Sequence, residues 1–217
     1  MVITYYGLSC FKVQSGDLAL AINPYGKEAG LTPPRFQTDV AVVSKHDALF
    51  NNVDALANKG EVEPFIIDGP GEYETHGILV RGFPSFPEKG GSGALNTVYA
   101  VEFEGMRLVI MGGYQEKTLR DDLHEAIGTP DILFIPVGGG SVIDAEVASK
   151  AITAIEPRIV IPTHYKIPGV KEKIDGIDAF AKEVGEKLKP EERLTIKKKE
   201  VPTDTQRIVL LDALAKG

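Results

Sequence analysis

A short polar segment that follows an apolar run could carry chemistry. Residues 39–43, with the sequence DVAVV, have the composition of a buried strand, and Lys45, His46 and Asp47 come almost directly after them, with Asn51 a few residues later. An imidazole beside a carboxylate can bind a metal ion or transfer protons, and a lysine can act as an acid or base. The segment is therefore a candidate metal loop, a former metal loop or an ordinary turn.

His164 and Glu72 belong to two further segments with candidate side chains. His164 lies at the carboxyl end of a short apolar strand, residues 157–163, and Glu72 lies in the corner DGPGEYE with Asp68 and Tyr73. Functional sites often lie at strand ends in layered folds, and a hydrogen-bonded structural histidine is the alternative for His164. The glycines and the proline favour a tight corner, in which Glu72 could bind backbone amides rather than a substrate.

Two other patterns indicate a site less specifically. The sequence PVGGGS, residues 136–141, invites a phosphate-loop interpretation because glycine amides at a helix start can hold anions, but the Gly-Lys-Ser ending of a nucleotide-binding loop is missing. A serine hydrolase would combine Ser44 or Ser141 with His164 and Asp144, but the sequence has no Gly-x-Ser-x-Gly elbow. Both patterns are as well explained by turns and helix caps.

Strands in the first half of the chain and alternating strands and helices after it must position these residues. The clearest hairpin turns at residues 104–105. Apolar residues at helical spacing predict a helix that ends at Gly128, a second over 144–155 and a third over 177–188. Because no linker of disordered composition divides the chain, we predict a single domain, 1–217, of the α+β class with helices outside its sheets.

Composition excludes several classes of protein. The formal net charge is −7 and the pI is about 5.2, so the surface would repel nucleic acid, and the lysine-rich residues 196–200 are predicted to form a solvated strand edge. Cys10 is the one cysteine, which leaves no internal disulfide and no cysteine-based zinc site. No apolar run approaches the roughly 20 residues of a membrane span, and the start lacks signal-peptide features. We therefore expect a cytoplasmic protein that binds neither nucleic acid nor membranes.

Several segments, in their order along the chain, resemble the metallo-β-lactamase superfamily, in particular its branch of small zinc-dependent hydrolases with lactonase-like relatives. The segments are ITYYGLSCFKVQSGDLALAINPYG, DGPGEYETHGI, NTVYAVEFEGMRLVIMGG, PDILFIPVGGG and PRIVIPTHY. The resemblance covers nearly the whole chain up to Lys166. It implies a four-layer αββα sandwich whose site lies at one edge, where the loops after the strands converge.

The metal ligands that the resemblance implies are mostly replaced. The family's Thr-His-x-His-x-Asp-His segment, which holds one or two zinc ions, falls on Ser44, Lys45, Asp47, Leu49 and Phe50. Its later histidine, its bridging aspartate and an aspartate before a proline that supports the ligands fall on Pro87, Gly113 and Asn23. Only the last histidine is kept, as His164. We therefore expect no metal and no other cofactor, with zinc only at a nonstandard site built from His46, Asp47 and His164, and we predict a Lys45–Asp47 ion pair in the vacated space.

Two functional hypotheses follow. The first is a binding, regulatory or scaffolding protein that keeps the fold without the catalysis, and its candidate cleft residues are Lys45, His46, Asp47, Asn51, Glu72 and His164. The second is a hydrolase of esters, lactones or phosphoesters with a nonstandard metal site or a metal-free site, in which Lys45 and Asp47 act as acid and base and His164 assists. The partner would be a small molecule or a protein, and the resemblance leaves a homo-oligomer open.

Overall fold

The computed structural model describes residues 1–57, 62–87 and 95–214. Its strands β1 to β15 are, in chain order, Val2–Gly7, Cys10–Ser15, Leu18–Ile22, Val40–Val42, Phe65–Ile67, Gly71–Thr75, Ile78–Ser85, Asn96–Phe103, Met106–Ile110, Ile132–Pro136, Ile159–Thr163, Pro190–Glu191, Leu194–Thr195, Arg207–Ile208 and Leu210–Leu211. The α-helices α1 to α3 are Asp121–Ile127, Ala145–Ile155 and Ile177–Val184. Short 3-10 helices span Lys27–Ala29, Val53–Ala55 and Lys198–Glu200.

Two large sheets form the centre of the fold. The first has the strand order β13-β1-β2-β3-β4-β5 and the second β14-β11-β10-β9-β8-β7-β6. Residues of β1 alternate between buried and partly buried, and all residues of β10 are buried. Apolar side chains of both strands therefore pack between the sheets. There Phe11 of the first sheet meets Phe134 of the second edge-on, with 4.9 Å between ring centroids. The predicted α+β class, with two packed sheets at its centre, is confirmed.

Different layers cover the outer faces of the two sheets. The buried sides of α1, α2 and α3, which include Leu123, Ala148 and Phe180, belong to the same apolar core as the second sheet. Outside the first sheet a separate apolar cluster forms around Tyr25 and Phe36, under loops and the first two 3-10 helices. The described part of the chain contains no helix that is long and apolar enough to cross a membrane.

Most predicted elements are confirmed, and two details are wrong. The hairpin turns at Glu104 and Gly105, whose φ angles of 55° and 69° suit a tight two-residue turn. The predicted strand edge at residues 196–200 is instead a 3-10 turn, in which Glu200 accepts a hydrogen bond from the Lys197 amide. The third helix, predicted over 177–188, ends at Val184, where Gly185 in a left-handed conformation forms its C-cap.

Parallel strands bring the candidate residues to one edge. In the first sheet β3, β4 and β5 run parallel, and in the second β9, β10 and β11 do. Lys45 follows β4, Asp68 follows β5, Gly113 follows β9, Gly138 follows β10 and His164 follows β11. Carboxyl ends of parallel strands meet at the same edge, so residues that are far apart in sequence become neighbours there.

Candidate functional site

Lys45 is held in a fixed position at this edge. The residue is only 8% exposed, and its backbone forms an antiparallel bridge with Asn96 at the start of β8. A Cβ placed on Gly113 would lie 3.3 Å from Lys45 Cδ and 3.3 Å from Phe50 Cζ. The lysine stem and the phenylalanine ring therefore occupy the space beside the position where the family resemblance places a bridging aspartate.

His164 is completely buried, and both of its ring nitrogens have protein partners. Nδ1 shares a hydrogen bond of 3.1 Å with Ser9 Oγ, and Nε2 shares one of 2.9 Å with Glu172 Oε2. The Phe50 ring stacks on the imidazole at 5.2 Å between centroids, with 5° between the planes. These contacts make His164 a hydrogen-bonded member of the core, which was one of the two alternatives for it.

The charge state of Glu172 indicates that the His164 nitrogen facing it carries a hydrogen. Burial acts to raise the pKa of this carboxyl, but the hydrogen bond and the charge of His164, with a smaller contribution from the backbone of Ser141, outweigh it and hold the pKa below its usual range. An ionised carboxylate can only accept, so Nε2 carries a hydrogen and donates it to Glu172, while Nδ1 is engaged by the Ser9 hydroxyl. Neither nitrogen then has a lone pair free for a metal ion.

The His164–Glu172 contact predicts how stability depends on pH. Because the pKa of Glu172 is lower in the folded state, the ionised carboxylate stabilises the fold above its usual titration range, and this contribution is lost as the pH falls through the folded-state pKa. We expect Glu172→Gln to lower the free energy of unfolding by about 1–2 kcal/mol near neutral pH, and the difference from wild type to shrink in acid. Urea denaturation at several pH values from neutral to acid measures the difference in the free energy of unfolding. Glu192→Gln, at an exposed position, is the control and should follow the wild type at every pH. A deficit of Glu172→Gln that does not change with pH would contradict the assignment.

The predicted ion pair between Lys45 and Asp47 is absent. Asp47 is exposed and turns back on its own loop, where its Oδ1 accepts a hydrogen bond of 2.9 Å from the Leu49 amide. Among the described residues no carboxylate lies within 4.0 Å of the Lys45 ammonium, and no polar atom is hydrogen-bonded to it. The two side chains leave the strand end in different directions because Lys45 is still paired with Asn96 while Asp47 already belongs to a turn.

The remaining candidate residues do not converge with Lys45 and His164. His46 is largely exposed and lies 3.8 Å from Asp68, with which it makes a surface ion pair when protonated. Asn51 is partly buried, and its backbone amide donates to the Asp47 carbonyl within the turn. Glu72 is exposed on β6, the outer strand of the second sheet, and lines a groove with Arg81.

A zinc ion does not fit the side chains found here. No group of three or more His, Cys, Asp or Glu side chains in the described ranges could hold a metal ion. Leu49 and Phe50 offer no donor atom, and the nitrogens of His164 are already engaged. Asn23 Nδ2 is buried without a partner, but an amide nitrogen is a donor and does not bind a cation.

The residues proposed for a serine hydrolase do not lie together in the structure. Asp144 caps α2 by accepting from the Val147 amide, and the hydroxyls of Ser44 and Ser141 are buried without hydrogen-bond partners. The serine that contacts His164 is Ser9, which is 2% exposed and out of reach of a substrate. The residues that a serine hydrolase would need, Ser44 or Ser141 with His164 and Asp144, therefore do not form a triad.

Three residues of this network were missed by sequence reasoning. Ser9 lies in the turn between β1 and β2, and Glu172 lies in the loop after β11. Asn96 donates to Ser85 Oγ and to the Met111 carbonyl and accepts from the Gly113 amide, so that it fixes three segments at once. No motif marks any of these positions. A polar residue at the start of an otherwise apolar strand is the one signal that could have indicated Asn96.

Comparisons with known proteins agree with this fold. A family model, the β-lactamase superfamily domain, matches residues 2–164. A relative named metal-dependent hydrolase from Methanosphaera stadtmanae is 31% identical over 222 residues, which cover 87% of this chain and 93% of that protein. Another with the same name, from Natranaerobius thermophilus, is 26% identical and covers 88% of this chain and 94% of its own.

Solved structures share the same fold at lower sequence identity. A metallo-β-lactamase superfamily protein from Thermotoga maritima superimposes with a TM-score of 0.78 at 24% identity, covering 98% of this chain and 100% of its own. A metallo hydrolase from Ignicoccus hospitalis reaches 0.60 at 18% identity, covering 90% and 99%. The structural matches establish the fold alone. Because the family model covers most of the chain, the chain belongs to the β-lactamase superfamily, as a member with the metallo-β-lactamase fold.

Proposed function

We propose that this protein is a metal-independent member of its superfamily that acts by binding a small molecule or a protein, in a regulatory or scaffolding role. The observation that carries the proposal is the state of His164, the one ligand position that keeps its family residue. Both of its nitrogens are hydrogen-bonded to Ser9 and Glu172, and Phe50 covers its ring.

The replacements at the other ligand positions support the same proposal. Zinc bound by protein needs several nitrogen, sulfur or carboxylate donors around one point. Here Lys45 adds a positive charge, Phe50 adds an apolar ring, and the missing side chain of Gly113 leaves the room that both occupy. A cation at this place would lose its ligands and also meet like charge, which is costly in a buried setting.

Hydrolysis of esters, lactones or phosphoesters is the second candidate function. The name of the relatives, metal-dependent hydrolase, favours it. A metal-free version would have to use Lys45 and Asp47, since His164 is enclosed on all sides and cannot reach a substrate. The cytoplasmic location stays a prediction from the single, buried cysteine.

Metal content and metal-stimulated turnover separate the proposed function from a metal-dependent hydrolase. We expect protein purified without chelator to contain far less than one transition metal per chain, and zinc or manganese neither to raise its Tm nor to stimulate cleavage of p-nitrophenyl esters, lactones or phosphodiesters. Elemental analysis by mass spectrometry and a plate assay measure these quantities. His164→Asn is the matched variant. One zinc, manganese or iron per chain that is lost in this variant would overturn the proposal, and so would metal-stimulated turnover.

A further inference from the structure

We infer that Lys45 is the binding residue of an oxyanion site at the carboxyl edge of the sheets, and that its ligand is a small organic anion with a carboxylate or phosphate group. This inference deepens the proposed function and rests on it, because a zinc ion bound at this edge would require Lys45 to leave.

The first argument is that Lys45 differs from every other buried charge in the described ranges. Glu116 accepts from the Phe86 amide and lies 3.4 Å from Arg120. Asp131 accepts from the Arg107 amide and pairs with Lys198 at 2.6 Å. Lys45, at 8% exposure, has neither an ion pair nor a hydrogen bond with any described residue. Lysine is rarely so buried without a partner, because removing an ammonium from water is costly unless an anion compensates it.

The second argument is that neighbours hold the lysine stem while the ammonium is not among the unpartnered atoms that are sealed from solvent. The buried side-chain nitrogens and oxygens that lack a partner and are sealed from solvent belong to Asn23, Ser44, Tyr114 and Ser141. Lys45 Nζ is not among these sealed atoms. The stem is held beside Gly113 and Phe50, and the backbone is paired with Asn96. A lysine held in this way has already lost most of its side-chain entropy, so that binding an anion costs less than at a surface lysine.

The third argument concerns the body of the ligand. Ser85 at the end of β7 is paired with Asn96 at the start of β8, and Asn96 is bridged to Lys45. The residues just beyond these two strand ends are Phe86 and Leu95, which are 53% and 38% exposed. Exposed apolar side chains at the strand ends next to the residue that pairs with Lys45 suit an anion with a short apolar portion better than a bare inorganic ion.

The test uses two probes, hexanoate and inorganic phosphate, and the full-length protein. Isothermal titration calorimetry should give saturable binding of at least one probe to the wild type, weakened about tenfold or more in Lys45→Met because one charge-assisted hydrogen bond is lost. Lys45→Arg should retain most of the affinity. Lys199→Met, which removes the same charge from an exposed turn, is the control and should bind like the wild type. Tighter binding of hexanoate identifies a carboxylate ligand with an apolar chain, and tighter binding of phosphate identifies a phosphorylated one.

A second measurement does not depend on any variant. The rate at which acetic anhydride acetylates Lys45 in the wild type, followed by peptide mass spectrometry, should fall when the bound probe is present, while the rate at Lys199 stays the same. Metal content is measured on the same sample. If the protein is metal-free and neither probe binds, or if Lys45→Met binds as well as the wild type, this inference is wrong and the proposed function stands. If the sample contains one zinc per chain, the proposed function fails as well.

Discussion

Replacing His164 by alanine is expected to lower the free energy of unfolding by about 3–5 kcal/mol, the largest loss we expect from any single site described above. The imidazole is fully buried and stacked on Phe50, so that its removal leaves a cavity. The same change leaves the Ser9 hydroxyl and the Glu172 carboxylate without their partner. Chemical denaturation at neutral pH measures the loss.

Two control variants separate the causes of this loss. His164 has a φ of 51°, which alanine adopts at a cost and asparagine tolerates better, so His164→Asn shows the effect of the lost ring with less backbone strain. His46→Ala removes an imidazole that is 64% exposed, and it should change stability by less than about 0.5 kcal/mol. Equal stabilities of His164→Ala and His46→Ala would contradict the structural role that the geometry gives to His164.

The sequence was sufficient to predict the strands of the two sheets, and its resemblance to a known superfamily indicated the edge where the loops after the parallel strands meet. Apolar runs that end in polar residues or glycines mark strand ends, and the parallel strands carry Lys45, Gly113 and His164 to one place. The replacement of the metal ligands stays a prediction, which rests on comparing residue types with those that the resemblance implies. The predicted Lys45–Asp47 pair failed because nearness along the chain says little about direction where a strand changes into a turn.

The network around His164 could not be predicted for a different physical reason. Its hydrogen bond to Ser9 joins residues 155 positions apart, and its partner Glu172 lies in a loop without a motif. Stacking of Phe50 on the imidazole depends on how two separate loops pack. Once seen, the replacements are coupled: Phe50 covers His164, Lys45 lies beside Phe50, and Gly113 leaves room for both. His164, Phe50 and the stem of Lys45 thus pack together as one small cluster at the carboxyl edge of the sheets.

Gly138→Ala is expected to lower the free energy of unfolding by about 2–4 kcal/mol, because its new methyl group would meet backbone that cannot move aside. A Cβ at this position would lie 2.2 Å from the His164 carbonyl oxygen and 3.1 Å from Tyr165 Cα. The glycine is therefore required for the close approach of the loop after β10 to the loop after β11. Thermal or urea denaturation gives the size of the loss.

The same variant decides between packing and a phosphate loop as the role of PVGGGS. If these glycines serve to hold an anion, Gly138→Ala should stay as stable as the wild type and lose phosphate affinity. If the glycine instead serves to pack against His164, Gly138→Ala should lose stability. Gly69→Ala is the matched control, since a Cβ there would meet no atom within 4 Å, and its stability should stay within about 1 kcal/mol of the wild type. Because Gly138 touches the backbone of His164 itself, a loss confined to Gly138→Ala would connect the glycine run to the buried histidine rather than to a ligand.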